Sequence, residues 1–153
     1  MTLAYVALGA NLGQARATVL RAIDDLATLP RTRLVARSSL YRSAPVDASG
    51  PDFINAVVAL ETAFAPEALL AEMQRIELDA GRERPYRNAP RTLDLDLLHY
   101  GDVRMETPTL TLPHPRIAER AFVLLPLAEI APNEVSRAQL TAVAGQTIER
   151  LDG

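Results

Sequence analysis

Arg91-Thr92-Leu93-Asp94-Leu95-Asp96-Leu97-Leu98 alternates polar and leucine positions with a period of two from Thr92 to Leu97, the pattern of a half-buried β-strand. Side chains two apart on a strand share a face, so Asp94 and Asp96 project together, about 6.6 Å apart along the backbone. Leu93, Leu95 and Leu97 turn the other way, toward a core. Two carboxylates so placed repel unless a cation stands between them, and magnesium at a phosphate site takes one or two carboxylates plus the substrate's own oxygens. The alternative is a solvated sheet face. Immediately upstream, Arg82, Arg84, Arg87 and Arg91 crowd a stretch rich in glycine and proline. An acid pair beside an arginine loop points to metal-assisted phosphoryl chemistry. With no apolar stripe to pin it, the segment from Arg82 to Arg91 is expected to be a mobile lid that ligands draw inward.

Outward from this strand, the chain divides into segments of clear character. Thr2 to Leu8 reads as a buried strand, and Gly9-Ala10-Asn11-Leu12-Gly13 is expected to break it with turn residues. The spacing of those glycines matches neither a dinucleotide fingerprint nor a Walker loop. Gln14 to Leu29 carries Val19, Ile23 and Leu26 on one helical face, and Pro30 should stop it. Arg33 to Arg42 is expected to be one strand, Ser43 to Pro51 a loop, and Phe53 to Thr62 a strand with Phe53, Asn55, Val57 and Ala59 on one face. Ala65-Pro66 opens a second helix with Leu69, Met73 and Ile76 as its apolar stripe and Gly81 as its C′ terminator. The order is strand, helix, strand, strand, helix, strand. That predicts an α+β fold with a ferredoxin-like βαββαβ core, a largely antiparallel sheet covered by helices and joined by added strands and helices. Thr109 to Pro115 reads as extended, Ala121 to Ile130 as a strand or short helix, and Arg137 to Leu151 as a terminal helix.

Bulk properties narrow the function further. The 153 residues suit one domain, 1–153, and 48% are hydrophobic. A net charge of −3 argues against a nucleic-acid binder that relies on a broad basic surface. No apolar run reaches membrane-spanning length, and Met1-Thr2-Leu3-Ala4 has no charged region leading into a signal core, so no membrane partner and a cytoplasmic location are expected. With no cysteine, disulfides and thiolate metal sites are excluded. All sixteen basic residues are arginine. A P-loop and a Schiff-base mechanism are excluded with the missing lysine, so phosphate chemistry must use guanidinium groups, backbone amides and metal.

Several ordered motifs together resemble the 6-hydroxymethyl-7,8-dihydropterin pyrophosphokinase family nearly from end to end. They are Ala4-Tyr5-Val6-Ala7-Leu8-Gly9-Ala10-Asn11-Leu12-Gly13, Ser38-Ser39-Leu40-Tyr41-Arg42, Pro51-Asp52-Phe53-Ile54-Asn55-Ala56, Gln74-Arg75-Ile76-Glu77, Gly81-Arg82-Glu83-Arg84, Pro90-Arg91-Thr92-Leu93-Asp94-Leu95-Asp96, Leu112-Pro113-His114-Pro115 and Arg120-Ala121-Phe122. The resemblance implies a folate-pathway enzyme, acting as a monomer, that moves diphosphate from ATP to the hydroxymethyl group of the reduced pterin, releasing AMP. It implies that Asp94 and Asp96 hold two Mg2+ ions bridging the ATP phosphates, with Arg82, Arg91, His114 and Arg120 steering those phosphates and Arg84 helping to close the loop. Gln74, Glu77, Leu97 and Thr111 would line the nucleotide side. The pterin would stack between Phe53 and Phe122, bond to Asn55, and meet backbone groups near Ser43, Ala44 and Val46. The chain departs from the family pattern at Asn88, where many members have a tryptophan that covers the pterin; Ala44, Phe53 and Pro115 stand where proline, tyrosine and tyrosine are common. From the residues alone, another Asp-x-Asp transferase and a non-enzymatic sensing domain remain alternatives.

Overall fold

Strand β1 (Thr2–Ala10) lies inside the sheet, with β4 (Phe53–Thr62) antiparallel on one side and β5 (Asp94–Tyr100) antiparallel on the other. The computed structural model describes residues 1–45, 50–81 and 92–151. The expected lid from Arg82 to Arg91, with Arg84, Arg87 and Asn88, lies outside the described residues, as does Val46. Gly9 and Ala10, expected to break the first strand, instead continue it and pair with Asn55 and Ile54.

Helix α1 (Ala15–Ala27) follows because Val19, Ala22, Ile23 and Leu26 recur at helical spacing and are all buried. It ends before Pro30, where the Thr28 hydroxyl donates to the carbonyls of Asp24 and Asp25. The strand expected over 33–42 is split into β2 (Thr32–Arg37) and β3 (Tyr41–Ser43). The interruption has a physical cause. Ser38 Oγ accepts the Val57 N–H at 2.9 Å and donates to the Ser39 carbonyl at 2.7 Å, while the Ser39 N–H turns away to the Glu129 carboxylate. Both pieces still pair with β4, β2 along its second half and β3 along its first. Helix α2 (Pro66–Ala80) buries Leu69, Met73 and Ile76 as expected. Gly81 serves as its C-cap at φ −110°, outside the left-handed conformation expected of a C′ glycine.

The extended stretch near Thr109 forms a small hairpin of β6 (Met105–Glu106) and β7 (Thr111–Leu112). Residues Ala121–Ile130 form helix α3. The terminal segment is not one helix: α4 (Arg137–Ala142) ends at Val143, and β8 (Ile148–Arg150) pairs with β3. Gln146 draws the chain out of the helix, since its side chain accepts from the Ala121 N–H and donates to the Glu119 carbonyl.

The main sheet therefore runs β5-β1-β4-β3-β8, with β2 also on β4. With β2 and β3 taken as two pieces of one strand, β1 to β5 and the two helices carry the βαββαβ order, and every described pairing is antiparallel. Even-numbered residues of β1 (Ala4, Val6, Leu8, Ala10) join the core of α1 and α2; Ala7 joins a second core with Val57, Val123, Leu124 and Leu127 beneath α3. The acid strand contains an irregularity. Tyr5 opposes His99 and Val6 opposes Leu97, so Leu98 has no partner on β1, the signature of a β-bulge. Leu97 fills the helix-side core and Leu98 the α3-side core. Among the described residues no helix is long and apolar enough to cross a membrane.

Candidate active site

Gly9 faces Asn55 on β4 and Asp94 on β5, and Ala7 faces Val57 and Asp96. Residues in one cross-strand row share a face, so Phe53, Asn55, Asp94 and Asp96 all look toward the α3 side. Leu93, Leu95 and Leu97 are buried on the other. The alternation seen in the sequence thus does what it predicted for this strand. It leaves Asp96 with 40% of its side chain exposed, accessible to a ligand.

His114 and Arg120 both approach that carboxylate. The Leu98 carbonyl at the bulge accepts the His114 N–H at 2.9 Å, which holds His114 beside the strand with Nε2 3.7 Å from Asp96 Oδ1. His114 Nδ1 accepts the Arg116 N–H at 3.1 Å. A neutral imidazole bonded so carries its proton on Nε2, and His114 therefore presents a donor toward the acid pair. Arg120, just before α3, brings Nη1 to 3.9 Å from Asp96 Oδ2. Its guanidinium carbon also lies 5.4 Å from the ring centroid of Phe122, within cation–π range. On the far side, the Glu77 carboxylate of α2 accepts the Leu95 N–H at 2.8 Å, tying the helix to the acid strand between the two aspartates.

The residues present fit magnesium. Among the described residues, no group of three or more His, Cys, Asp or Glu is arranged to hold a metal ion. Two carboxylates on one strand face suit an ion that completes its octahedron with phosphate and water oxygens; they do not make an all-protein calcium cage or a zinc site.

At the other end of the row, Asn55 is 2% exposed, and its Nδ2 donates to Ser43 Oγ at 2.7 Å. A buried amide needs such partners, and this bond holds its orientation. Phe53 and Phe122 are each half-buried, one on β4 and one at the start of α3, elements packed against each other. Ala44 is exposed and its N–H is directed to the Thr147 carbonyl at 3.4 Å. Of the nucleotide-side residues, Thr111 is half-buried on β7 and Gln74 is exposed on α2. The Leu97 side chain is buried with the helices, on the face opposite the aspartates.

One cluster escapes sequence reasoning. Glu129, near the end of α3, accepts from the Tyr41 hydroxyl at 2.7 Å and from both the N–H and the hydroxyl of Ser39 at 3.0 Å, with Arg150 Nη2 at 3.4 Å. It clamps α3 to β3 and β8. Burial, then the bond to Glu129, pushes the Tyr41 phenol up to about 12. Burial opposes ionisation of Glu129, but the bonds from Tyr41 and Ser39 and the charge of Arg150 outweigh it and hold the carboxyl below its ordinary value. Tyr41 and Glu129 are 88 residues apart, and no local pattern signals their meeting.

A family model described as 7,8-dihydro-6-hydroxymethylpterin-pyrophosphokinase (HPPK) matches residues 5–132. A protein from Pseudomonas aeruginosa named 2-amino-4-hydroxy-6-hydroxymethyldihydropteridine pyrophosphokinase is 50% identical over 130 residues, covering 84% of this chain and 80% of its own. One of the same name from Methylorubrum extorquens is 42% identical over 158 residues, covering 99% of this chain and 100% of its own. Among solved structures, the Plasmodium falciparum HPPK-DHPS wild type superposes with a TM-score of 0.65 at 14% identity, over 86% of this chain. This chain spans 40% of that longer protein, and at such identity the likeness concerns the fold alone.

Proposed function

Because the chain belongs to the 7,8-dihydro-6-hydroxymethylpterin-pyrophosphokinase family, we propose that the row from Asn55 through Gly9 to Asp94 is its reaction groove. The enzyme transfers diphosphate from ATP to the hydroxymethyl group of 6-hydroxymethyl-7,8-dihydropterin, giving AMP and the pterin diphosphate in folate biosynthesis. ATP and the reduced pterin are its small-molecule substrates.

In this reading Asp94 and Asp96 hold two Mg2+ ions against the ATP phosphates. When bound, magnesium supplies neutralising charge and a fixed geometry for the attacking and leaving oxygens. Arg120 and the Nε2–H of His114, already directed at Asp96, bind the phosphate oxygens, and Arg82 and Arg91 join them, with Arg84 beside them. Gln74, Glu77 and Thr111 border the nucleotide. Leu97 meets it through its backbone, because its side chain lies in the core. Phe53 and Phe122 sandwich the pterin, Asn55 bonds its polar edge, and backbone groups near Ser43, Ala44 and Val46 complete that edge. Flat, polar-edged rings suit two aromatic faces and an oriented amide. Transfer of this kind rests mainly on positioning and charge stabilisation, which is what these residues can supply. The reading takes residues 1–153 as a single pyrophosphokinase domain acting as a monomer in the cytoplasm, where ATP is abundant.

The observation that carries it is the double contact of Arg120, which lies near Asp96 and the Phe122 ring at once. One side chain thus spans the proposed phosphate and pterin halves. The test is an AMP-release assay with purified protein. AMP should form from ATP only with both magnesium and the reduced pterin present; AMP release independent of the pterin refutes the reading.

A further inference from the structure

We propose that Gly9 is a specificity-determining residue of the transfer: it is the one position in the Asn55–Gly9–Asp94 row without a side chain, and the pterin crosses the sheet over it to reach the phosphates. The inference rests on the assignment of Phe53 and Asn55 to the pterin. Neighbouring strands lie about 4.8 Å apart, so the backbones of Asn55 and Asp94 are separated by roughly 10 Å with β1 between them. A pterin bonded to Asn55 must lay its ring across that interval to bring its hydroxymethyl group to the phosphates, and any side chain on Gly9 would stand in its path.

Backbone conformation does not explain the glycine. Gly13, Gly50 and Gly101 have positive φ, whereas Gly9 does not and sits in regular pairing on both sides. Glycine weakens a strand interior, and where it persists it often marks a place where a ligand approaches the backbone closely. Space is the remaining constraint. A Cβ built on Gly9 would lie 3.3 Å from Asn55 Oδ1, 3.9 Å from Phe53 Cδ1 and 4.0 Å from the Ile54 carbonyl oxygen. Asn55 cannot simply turn aside, because its other amide atom donates to Ser43 Oγ at 2.7 Å. One row along, Ala7 carries a methyl group and is buried under α3, whereas Gly9 is partly open to solvent. The side chain is missing where the groove is open.

The experiment compares Gly9→Ala with the unaltered full-length chain in two calorimetric titrations. The first uses a nonhydrolysable ATP analogue with Mg2+, whose stoichiometry also counts the folded protein. The second adds 6-hydroxymethyl-7,8-dihydropterin to that complex. Gly9→Ala should lower pterin affinity about tenfold or more, the scale of overpacking a fixed site, with analogue affinity within about twofold. Pterin affinity within about twofold of the parent, or equal losses for both ligands, overturns the proposal. A measurement on the unaltered protein stands whether or not the variant folds. In the ternary complex, nuclear Overhauser effects should connect the pterin protons to the Gly9 α-protons as well as to the Phe53 and Phe122 rings. Contacts to both rings without Gly9 overturn the role of Gly9 alone; absence of all three overturns the pterin assignment with it.

Discussion

Replacing Arg120 with methionine separates what this residue contributes to folding from what it contributes to reaction. In the free protein Arg120 makes a 3.9 Å ion pair with a substantially exposed Asp96 and a cation–π contact with Phe122 at 5.4 Å. A pair of that exposure is worth about 0–1 kcal/mol, and the ring contact about 0.5–1 kcal/mol. Methionine keeps an apolar stem and a favourable sulfur–ring contact, so the folding loss should be about 1 kcal/mol, a fall in Tm of roughly 2–4 °C. Turnover should suffer far more. In phosphoryl transfer an arginine on the developing charge is worth on the order of a thousandfold, which corresponds to about 4 kcal/mol of barrier. Arg120→Met is therefore expected to melt almost normally while releasing AMP about a thousandfold more slowly at saturating Mg2+, ATP and pterin. A rate within tenfold of the parent at full saturation refutes the reasoning. So does a loss of ten degrees or more in Tm, because Arg120 would then act chiefly as a structural residue.

Asp94→Asn and Asp96→Asn should each depress turnover by about a thousandfold or more with little change in melting, since a neutral amide is a poor magnesium ligand; near-normal turnover of either variant removes that residue from the metal site. Phe122→Ala should weaken pterin binding through lost stacking of about 0.5–1.5 kcal/mol beyond burial and leave ATP-analogue affinity intact by calorimetry; equal losses would make Phe122 a core residue. Asn55→Ala should give the same selectivity together with a folding loss of about 1 kcal/mol from its bond to Ser43, read by urea unfolding. The Tyr41–Glu129 clamp predicts a pH signature. Glu129 is depressed in the folded state, so its stabilisation is present above its ordinary value of 4.5 and lost as pH falls through the folded value. Tyr41 is raised, so its share is present below 10 and lost as pH climbs toward about 12. Melting curves across pH should show a reduced acid slope in Glu129→Gln and a reduced alkaline slope in Tyr41→Phe, and unchanged slopes would contradict the clamp.

What could be foreseen and what could not divides along physical lines. Phe53–Thr62 is an uninterrupted β-prone run whose ends are set by local turn residues, and it forms over those same residues. Leu69, Met73 and Ile76 bury as their spacing requires, and the two aspartates share a face because a strand's period leaves no alternative. These features depend on neighbours in sequence. The break at Ser38 depends on the Val57 amide and on Glu129, and β8 exists because β3 offers it an edge. Glycine at position 9 looked like punctuation because its pairing with both Asn55 and Asp94 comes only from the assembled sheet. Of the candidate site, the acid pair was visible in the strand itself. The gathering of His114 and Arg120 around it was implied only by family resemblance, since neither is near Asp96 in the chain.

The unpaired Leu98 has a consequence for how far the acid strand tolerates change. Before it, odd-numbered positions belong to the helices and even-numbered ones to the groove; after it, Tyr100 belongs to the helices and His99 stands edge-on to Tyr5, centroids 6.1 Å apart. The extra residue acts as a phase shifter between two half-strands, each in its own parity. Loss of Leu98 would set Leu97 and His99 next to each other opposite Val6 and Tyr5, leaving Asp94, Asp96 and Tyr100 on their own faces but taking a buried side chain out of the α3-side core. The same residue offers its carbonyl to His114, so that deletion would also detach the imidazole from the acid pair. The bulge carbonyl is thus a constraint separate from the side chain that carries it, and conservative side-chain changes at Leu98 should be far better tolerated than its removal.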